Sequence, residues 1–408
     1  TALNGDNGIL TKASESKQKT EETQEFEQVK MSVLSSQIAE TNALEIEKEN
    51  LEKALKEQFG NDKEILINDN KDGSFLIYIN DTKRKYYIDD TGNVIENSKI
   101  LEISTVEDLK IFRNNVNNGN TYEGWYIYLT NDITLNEKWE AIGKYDNSSS
   151  NPEEEINKRF SGIFNGNWNC ISGLNINSTE KGKGLFALVK KGEIKNLGIK
   201  DSTITGSSAI GGIIGYAYDN TIIENCFSEA TITANDRYIG GIVGYANKGI
   251  NIEKCYNNGN ITGAYNIGGI CGSMVNSNIS SCYNTGNLTG NSDDASVIGG
   301  ICSEISTNNN DTGSKIQNCY NIGRISSKNS NILGAIVGKT KSTKYTISNN
   351  YFLENMINGN NGTIFDGTIK KTSEEMKNIE NNLENDFEKD TENINDGYPI
   401  LQWQEFLE

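Results

Sequence analysis

The chain has 408 residues with 56 acidic and 38 basic side chains, a formal net charge of -18, and no histidine. That charge repels nucleic acid and anionic lipid, so no nucleic-acid partner is expected. The missing imidazole removes the usual general base and metal ligand together with the Ser-His-Asp and Cys-His nucleophile arrangements.

Chain length predicts two or three domains rather than one core. Forty glycines against two prolines, Pro152 and Pro399, imply many tight turns. No apolar run is long enough to cross a bilayer, and the first residue is Thr1. Membrane attachment is therefore expected only through an apolar segment ahead of Thr1. The closing residues, Gln404 to Glu408, carry no sorting signal with an apolar tail.

Between Leu10 and Phe59 there is neither glycine nor proline. Apolar residues at Phe26, Val29, Val33, Leu34, Ile38, Leu44, Leu51, Leu55 and Phe59 keep helical spacing. The pattern predicts one helix of about 45–50 residues, roughly 70 Å long, stopped by Gly60-Asn61. A coiled coil or an exposed spacer is the plain alternative. From Glu64 to Ile95 the period changes to two, with turns at Asn70-Lys71-Asp72-Gly73, Asn80-Asp81-Thr82 and Asp89-Asp90-Thr91-Gly92. This predicts a small antiparallel meander packed on the C-terminal end of the helix. Asn68 to Gly73 has some features of a calcium loop, but Ile79 stands where a bidentate Glu is needed, so it reads as a hairpin turn.

The helix-then-meander order, preceded by Gly5-Asp6-Asn7-Gly8-Ile9-Leu10, resembles the type IV pilin-like proteins of Gram-positive bacteria. The resemblance covers about the first hundred residues and implies partners in other pilin-like subunits, reached through the N-terminal helix. The apolar half of the family's first helix is absent from the sequence.

Ser104 and Glu107 form an expected capping box for a helix to about Val116, with a stop near Asn118-Gly119. Short strands follow at Tyr126 to Leu129 and Ile133 to Leu135. Lys144 to Arg159 is a polar, acid-rich insertion ahead of Phe160-Ser161-Gly162-Ile163-Phe164-Asn165-Gly166-Asn167.

From residue 183 the chain repeats. An Ile-Gly-Gly-Ile type tetrad starts at Ile210, Ile239, Ile267 and Ile298, with a degenerate copy at Leu333, at intervals of 29, 28, 31 and 35 residues. Cys226-Phe227, Cys255-Tyr256, Cys282-Tyr283 and Cys319-Tyr320 form a second marker, and short Ile-Thr or Leu-Thr strands a third. Such a unit cannot bury its own apolar face, so neighbours must stack as a solenoid. Stacking puts Cys226, Cys255, Cys282 and Cys319 in one ladder and Cys271 and Cys302 in another beside Ile214 and Val243. An odd count of seven excludes full pairing, and because ladder side chains point the same way, buried thiols are expected rather than bridges.

The tetrads and Cys-Tyr pairs resemble the GLUG-motif repeats of bacterial surface proteins. Phe160 to Asn167 resembles the lead-in of such proteins, and Asn395 to Trp403 their C-terminal closure. The resemblance implies a right-handed parallel β-helix on a cell surface, often in adhesins, with no catalytic residue in the repeats. Thr372 and Glu375 form a capping box for an acidic helix expected to cap the solenoid. The expected division is a pilin-like unit over 1–100, a capping helix and lead-in rungs over 101–182, GLUG repeats over 183–365 and a C-terminal cap over 366–408.

The leading expectation is an extracellular, non-enzymatic display or adhesion protein with no catalytic, cofactor or metal residues. Its host or environmental glycan or protein ligand would bind on a solenoid face or on the insertions Lys144 to Arg159 and Ser306 to Lys315. Those insertions can equally be tolerated loops. A polysaccharide-active β-helix enzyme is the alternative and needs acidic side chains clustered on one rung face, whereas Asp293-Asp294 stands in a turn without an obvious partner. A purely structural filament subunit is the third reading.

Overall fold

The computed structural model describes residues 3–39, 46–145, 158–293, 296–306, 313–329, 332–357 and 362–407. They form two compact units, one of residues 1–101 with 124–126 and one of residues 102–123 with 127–408.

In the first unit, α1 (Leu3–Ala39) and α2 (Lys48–Phe59) replace the single long helix expected from the sequence. The same apolar core holds Val29 and Val33 of α1 with Leu51 and Leu55 of α2. A straight helix would hold Val29 and Leu51 about 33 Å apart, since each residue advances roughly 1.5 Å. The apolar period runs through both helices, so spacing alone could not reveal two segments sharing one core. Leu34 and Ile38, expected on the buried stripe, are 50% and 76% exposed, and Leu44 lies outside the described residues. The core is completed by the four-stranded antiparallel meander of β1 (Ile65–Asp69), β2 (Phe75–Ile79), β3 (Arg84–Ile88) and β4 (Val94–Ile95). It meets α1 from Glu22 onward, where Arg84 pairs with the Glu22 carboxylate at 3.3 Å. There the buried Glu25 carboxylate accepts from Tyr86 Oη at 2.7 Å and pairs with Arg84 at 3.5 Å. Residues 11–20 of α1 are exposed.

The second unit is a parallel β-solenoid. Its start is covered by α3 (Val106–Asn117), whose capping box is Thr105 with Asp108, one residue later than expected. The Asp108 carboxylate accepts from the backbone amides of both Ser104 and Thr105, a position Glu107 does not take. Phe112 of α3 packs on Phe160 and Phe164, ring centroids 5.6 and 5.7 Å apart, so the phenylalanine lead-in fills the first rung.

Beyond it the repeats stack in register. Ile210 bridges Ile239, and Ile239, Ile267, Ile298 and Leu333 pair rung to rung, so the tetrads form one column despite their unequal spacing. The longer intervals between 267 and 333 leave the ladder in register. Each tetrad brings backbone to backbone: a Cβ at Gly268 would land on the carbonyl oxygen of Cys271. Two six-stranded parallel sheets run along the axis, one from Asn175–Asn177 to Ile325–Ser327 and one from Phe186–Lys190 to Val337–Thr340. A third, sixteen-stranded sheet carries the Cys-Tyr pairs.

All seven cysteines are buried free thiols. Cys271 pairs with Val243 and Cys302, and Val243 with Ile214, as the columns required. An asparagine ladder lies beside the Cys-Tyr column. Nδ2 of Asn257 donates to Asn284 and Nδ2 of Asn284 to Asn321, each at 2.8 Å, while the same amides cap Gly259 and Gly286. The recurring Cys-Tyr-Asn-x-Gly string is its sequence signal.

The C-terminal segment does not form the acidic helix expected to cap the solenoid. The Thr372 and Glu375 box is present, but α4 (Ser373–Met376) is a single turn. The chain then packs against the aromatic ladder. Phe227, Tyr256, Tyr283 and Tyr320 stack at 4.8–4.9 Å with planes within 7°, and Met376, Ile379, Leu383, Phe387, Leu401 and Trp403 share one core with them. Tyrosines that point away from the solenoid interior leave a wide apolar strip, and covering it stabilises more than closing one edge. Polar ends are matched as well: Tyr283 Oη donates to Gln404 Oε1 at 2.9 Å and Trp403 Nε1 to the Lys254 carbonyl at 2.9 Å.

Candidate ligand-binding face

Residues 146–157 and 307–312 of the two insertions lie outside the described residues, as does Asp294. Asp293 is exposed and paired with Lys328. The side chains that cluster instead lie on the outer surface of the sheet running from Phe186–Lys190 to Val337–Thr340. Along this sheet Leu188, Tyr216, Tyr245, Ser273, Glu304 and Lys339 occupy one file, and Lys190, Tyr218, Asn247, Val275 and Ser306 the next but one. The alternation of a strand puts both files on the same side, opposite the buried Val189, Ala217 and Ala246.

Tyr216 and Tyr218 stack at 6.0 Å and form the buried floor. Tyr145, Tyr238 and Tyr245 lie half-buried against them. Tyr145 stacks on Tyr216 at 4.1 Å and Tyr238 meets Tyr245 at 5.0 Å. Burial, helped by Tyr238 and Glu304, pushes the Tyr245 hydroxyl up to about 12, so it stays a neutral donor at neutral pH. Beyond Tyr245 the file narrows to the small Ser273. It then reaches Glu304, whose carboxylate is buried and clamped by Lys339 at 3.0 Å and Lys341 at 2.9 Å. Burial works against this charge, but the two lysines outweigh it and hold the carboxyl below the usual range. Beside the tyrosines, on their own rungs, Asp219 receives Lys190 at 3.0 Å and Lys248 at 3.9 Å. Aromatic rings flanked by fixed charges can stack on an apolar ring face while hydrogen-bonding its polar rim. Tyr216-Ala217-Tyr218 is a partial signal in the chain, but Tyr145 and Tyr238 lie on other segments and only the fold gathers them.

A second cluster lies on the sixteen-stranded sheet. Glu224 and Glu253 occupy adjacent rungs in register. Lys254 reaches Glu224 at 3.1 Å and Asp386 at 3.7 Å. Burial, and next the Glu224 charge, raise the Glu253 carboxyl above its usual value. Among the described residues no group of three His, Cys, Asp or Glu side chains is placed to hold a metal ion, and no helix is long and apolar enough to cross a membrane.

No curated protein matches the chain. A solved structure described as IgA1 protease aligns with 74% of this chain and 24% of its own length, at 16% identity and a TM-score of 0.42. Residues 206–233 and 235–262 match the family model for the GLUG motif. Two consecutive repeats of this parallel β-solenoid thus carry the GLUG motif.

Proposed function

We propose that the protein is a non-enzymatic, extracellular surface protein that binds a glycan on the tyrosine face of its solenoid, with its N-terminal helix joining it to other pilin-like subunits. The gathering of Tyr145, Tyr216, Tyr218, Tyr238 and Tyr245 from three separate stretches onto one sheet face carries this reading. Stacked, half-buried rings are rigid, so a ligand meets a surface whose side-chain entropy is already spent. A glycan array probed with the whole chain and with Tyr238→Ala/Tyr245→Ala tests it. Retention of defined glycans by the wild type, lost in the variant, is expected. A blank array, or equal retention by the variant, would reject the face as the site.

The enzymatic reading has one observation in its favour, the stacked Glu224 and Glu253. Two carboxyl groups on adjacent rungs, with the Glu253 carboxyl raised above its usual value by burial and then by the Glu224 charge, are the residue type that glycosidic hydrolysis pairs. Lys254, bound to Glu224, occupies that carboxylate in the structure. Release of reducing ends with saturation kinetics, abolished in Glu253→Gln, would establish catalysis and displace the display reading.

A further inference from the structure

We infer that Tyr238 is the platform on which a bound sugar ring stacks, and that the fold holds it there in a backbone conformation unfavourable for tyrosine. The inference rests on the proposed glycan-binding reading and assigns its central contact to one residue. Tyr238 has φ 67°, inside the left-handed region where Cβ crowds the following carbonyl oxygen and a bulky residue is an outlier. Its place in the solenoid shows what the position otherwise takes. Lys183 bridges Ile210 and Ile210 bridges Ile239, so the residues just before them, Gly182, Ala209 and Tyr238, form one column. All three are left-handed, with φ of 65°, 53° and 67°. The two earlier rungs fill the position with the smallest residue types, and the third with one of the largest.

The backbone around Tyr238 is fixed from both sides. The carbonyls of Arg237 and Tyr238 accept from the amides of Ala209 and Ile210 at 2.9 and 3.0 Å on one rung, and the Ile239 amide donates to the Asn266 carbonyl at 2.8 Å on the next. Such over-determination sustains a strained residue, and strain of this kind clusters at binding sites. Two other aromatic residues at positive φ among the described residues, Tyr122 and Trp168, have rings taken up by packing. Tyr122 is 4% exposed and meets Phe112 at 5.0 Å, and Trp168 meets Trp403 and Phe406 of the C-terminal segment at 5.7 and 5.1 Å. Tyr238 instead is half-buried on the open face, its ring tilted by 41° against Tyr245 at 5.0 Å. A turn in this conformation is served by glycine, whereas stacking on a sugar needs a ring.

Titration with cellohexaose and chitohexaose, chains of flat pyranose rings, and unfolding in denaturant test this on the whole chain and three variants. Tyr238→Gly removes the ring and suits the backbone, Tyr238→Phe keeps the ring without the hydroxyl, and Tyr245→Ala is the packing reference. The wild type is expected to bind at least one hexaose and Tyr238→Phe to match it, while Tyr238→Gly binds about fivefold or more weakly. Relief of the backbone offsets the lost contacts, so the denaturant midpoint of Tyr238→Gly should fall less than that of Tyr245→Ala. A merely structural residue would lose stability and binding together. A midpoint fall as large as that of Tyr245→Ala would overturn the inference, as would undiminished binding by Tyr238→Gly. If Tyr245→Ala alone loses binding, the face stays a glycan site with another anchor; if both variants bind fully, the glycan reading of the face falls too. Weakening by Tyr238→Phe as great as by Tyr238→Gly also overturns it, because the hydroxyl would then be the contact. Failure of both hexaoses to bind the wild type overturns it as well, and the glycan array then decides whether the broader reading falls.

Discussion

Two tyrosine-rich surfaces of the solenoid have opposite fates. On the sixteen-stranded sheet, Tyr256, Tyr283 and Tyr320 recur at one position per rung, stack with near-parallel planes, and are covered by the chain's own C-terminal segment. On the neighbouring sheet, Tyr216, Tyr218, Tyr238 and Tyr245 meet at mixed angles, up to 72°, and three rings of the cluster stay half-buried. Residue type is the same. What differs is periodicity: a regular ladder offers a straight strip that a single extended segment can seal, whereas an irregular cluster occupies two or three rungs and then gives way to charge. The covered surface contributes stability, and the open one is the face proposed for recognition.

Substitution on the two surfaces should separate these roles. Trp403→Ala removes the ring that spans Trp168, Phe227 and Tyr256, at centroid distances of 5.7, 6.3 and 5.7 Å. It should cost about 3–5 kcal/mol, the usual range for deleting a buried tryptophan. Tyr245→Ala should cost only about 1–2 kcal/mol, because its ring is half-buried and its aromatic contacts are worth roughly 0.5–1.5 kcal/mol each. Denaturant unfolding of both variants gives the comparison directly. Equal losses would mean that the open face is as much a part of the core as the covered one.

The two surfaces should also respond oppositely to acid. Glu253, near Asp386 of the C-terminal segment, holds its proton more firmly folded than unfolded, by burial and then by Glu224. Between its ordinary value near 4.5 and its raised folded value, the fold binds the extra proton, so stability falls as pH rises through that window. Glu304 on the tyrosine face is lowered, so its contribution is present above about 4.5 and is lost as pH falls below it. Stability measured across this range should rise above pH 4.5 in Glu253→Gln relative to the wild type, and its slope should flatten there. Glu304→Gln should flatten the profile only below. A Glu253→Gln profile parallel to the wild type would show that the carboxyl is not held protonated by the fold.

The stacking of repeats was legible because it depends on columns that recur together. Ile210, Ile239, Ile267 and Ile298, and the cysteines with them, could be aligned by eye, and unequal loop lengths did not obscure them. The helical hairpin of α1 and α2 was not legible, since Val29, Val33, Leu51 and Leu55 continue one period and nothing in that period records that they meet. The role of the C-terminal segment was half legible. The Thr372 box could be read, but a partner more than a hundred residues away in sequence, such as Lys254 for Trp403, leaves no local trace. For the same reason the tyrosine face could be anticipated only as an unspecified solenoid face.

The cysteine columns give the smallest expected effect, none at all. Titrating thiols in denaturant, with and without reductant, should return seven in both cases, matching the seven buried free cysteines. Parallel in-register strands point equivalent side chains the same way, and each thiol of the first ladder already has a partner two residues back. Cys226 donates to the Glu224 carbonyl at 3.2 Å, Cys255 to Glu253 at 3.0 Å, Cys282 to Ser280 at 3.1 Å and Cys319 to Gln317 at 3.1 Å. A bridge between rungs would break two of these bonds and turn two sulfurs toward each other along the axis, against a rotamer repeated four times. Burial also pushes the thiols of Cys226, Cys282 and Cys302 well above their usual range, while Cys255, despite its burial, is drawn down by hydrogen bonds with the flanking Cys226 and Cys282. The same burial makes them good fillers: a sulfur is small and apolar enough to continue the column that Leu197 begins. A rise of two thiols on reduction would show that a pair had closed, and the even spacing of the ladder would have to yield at that rung.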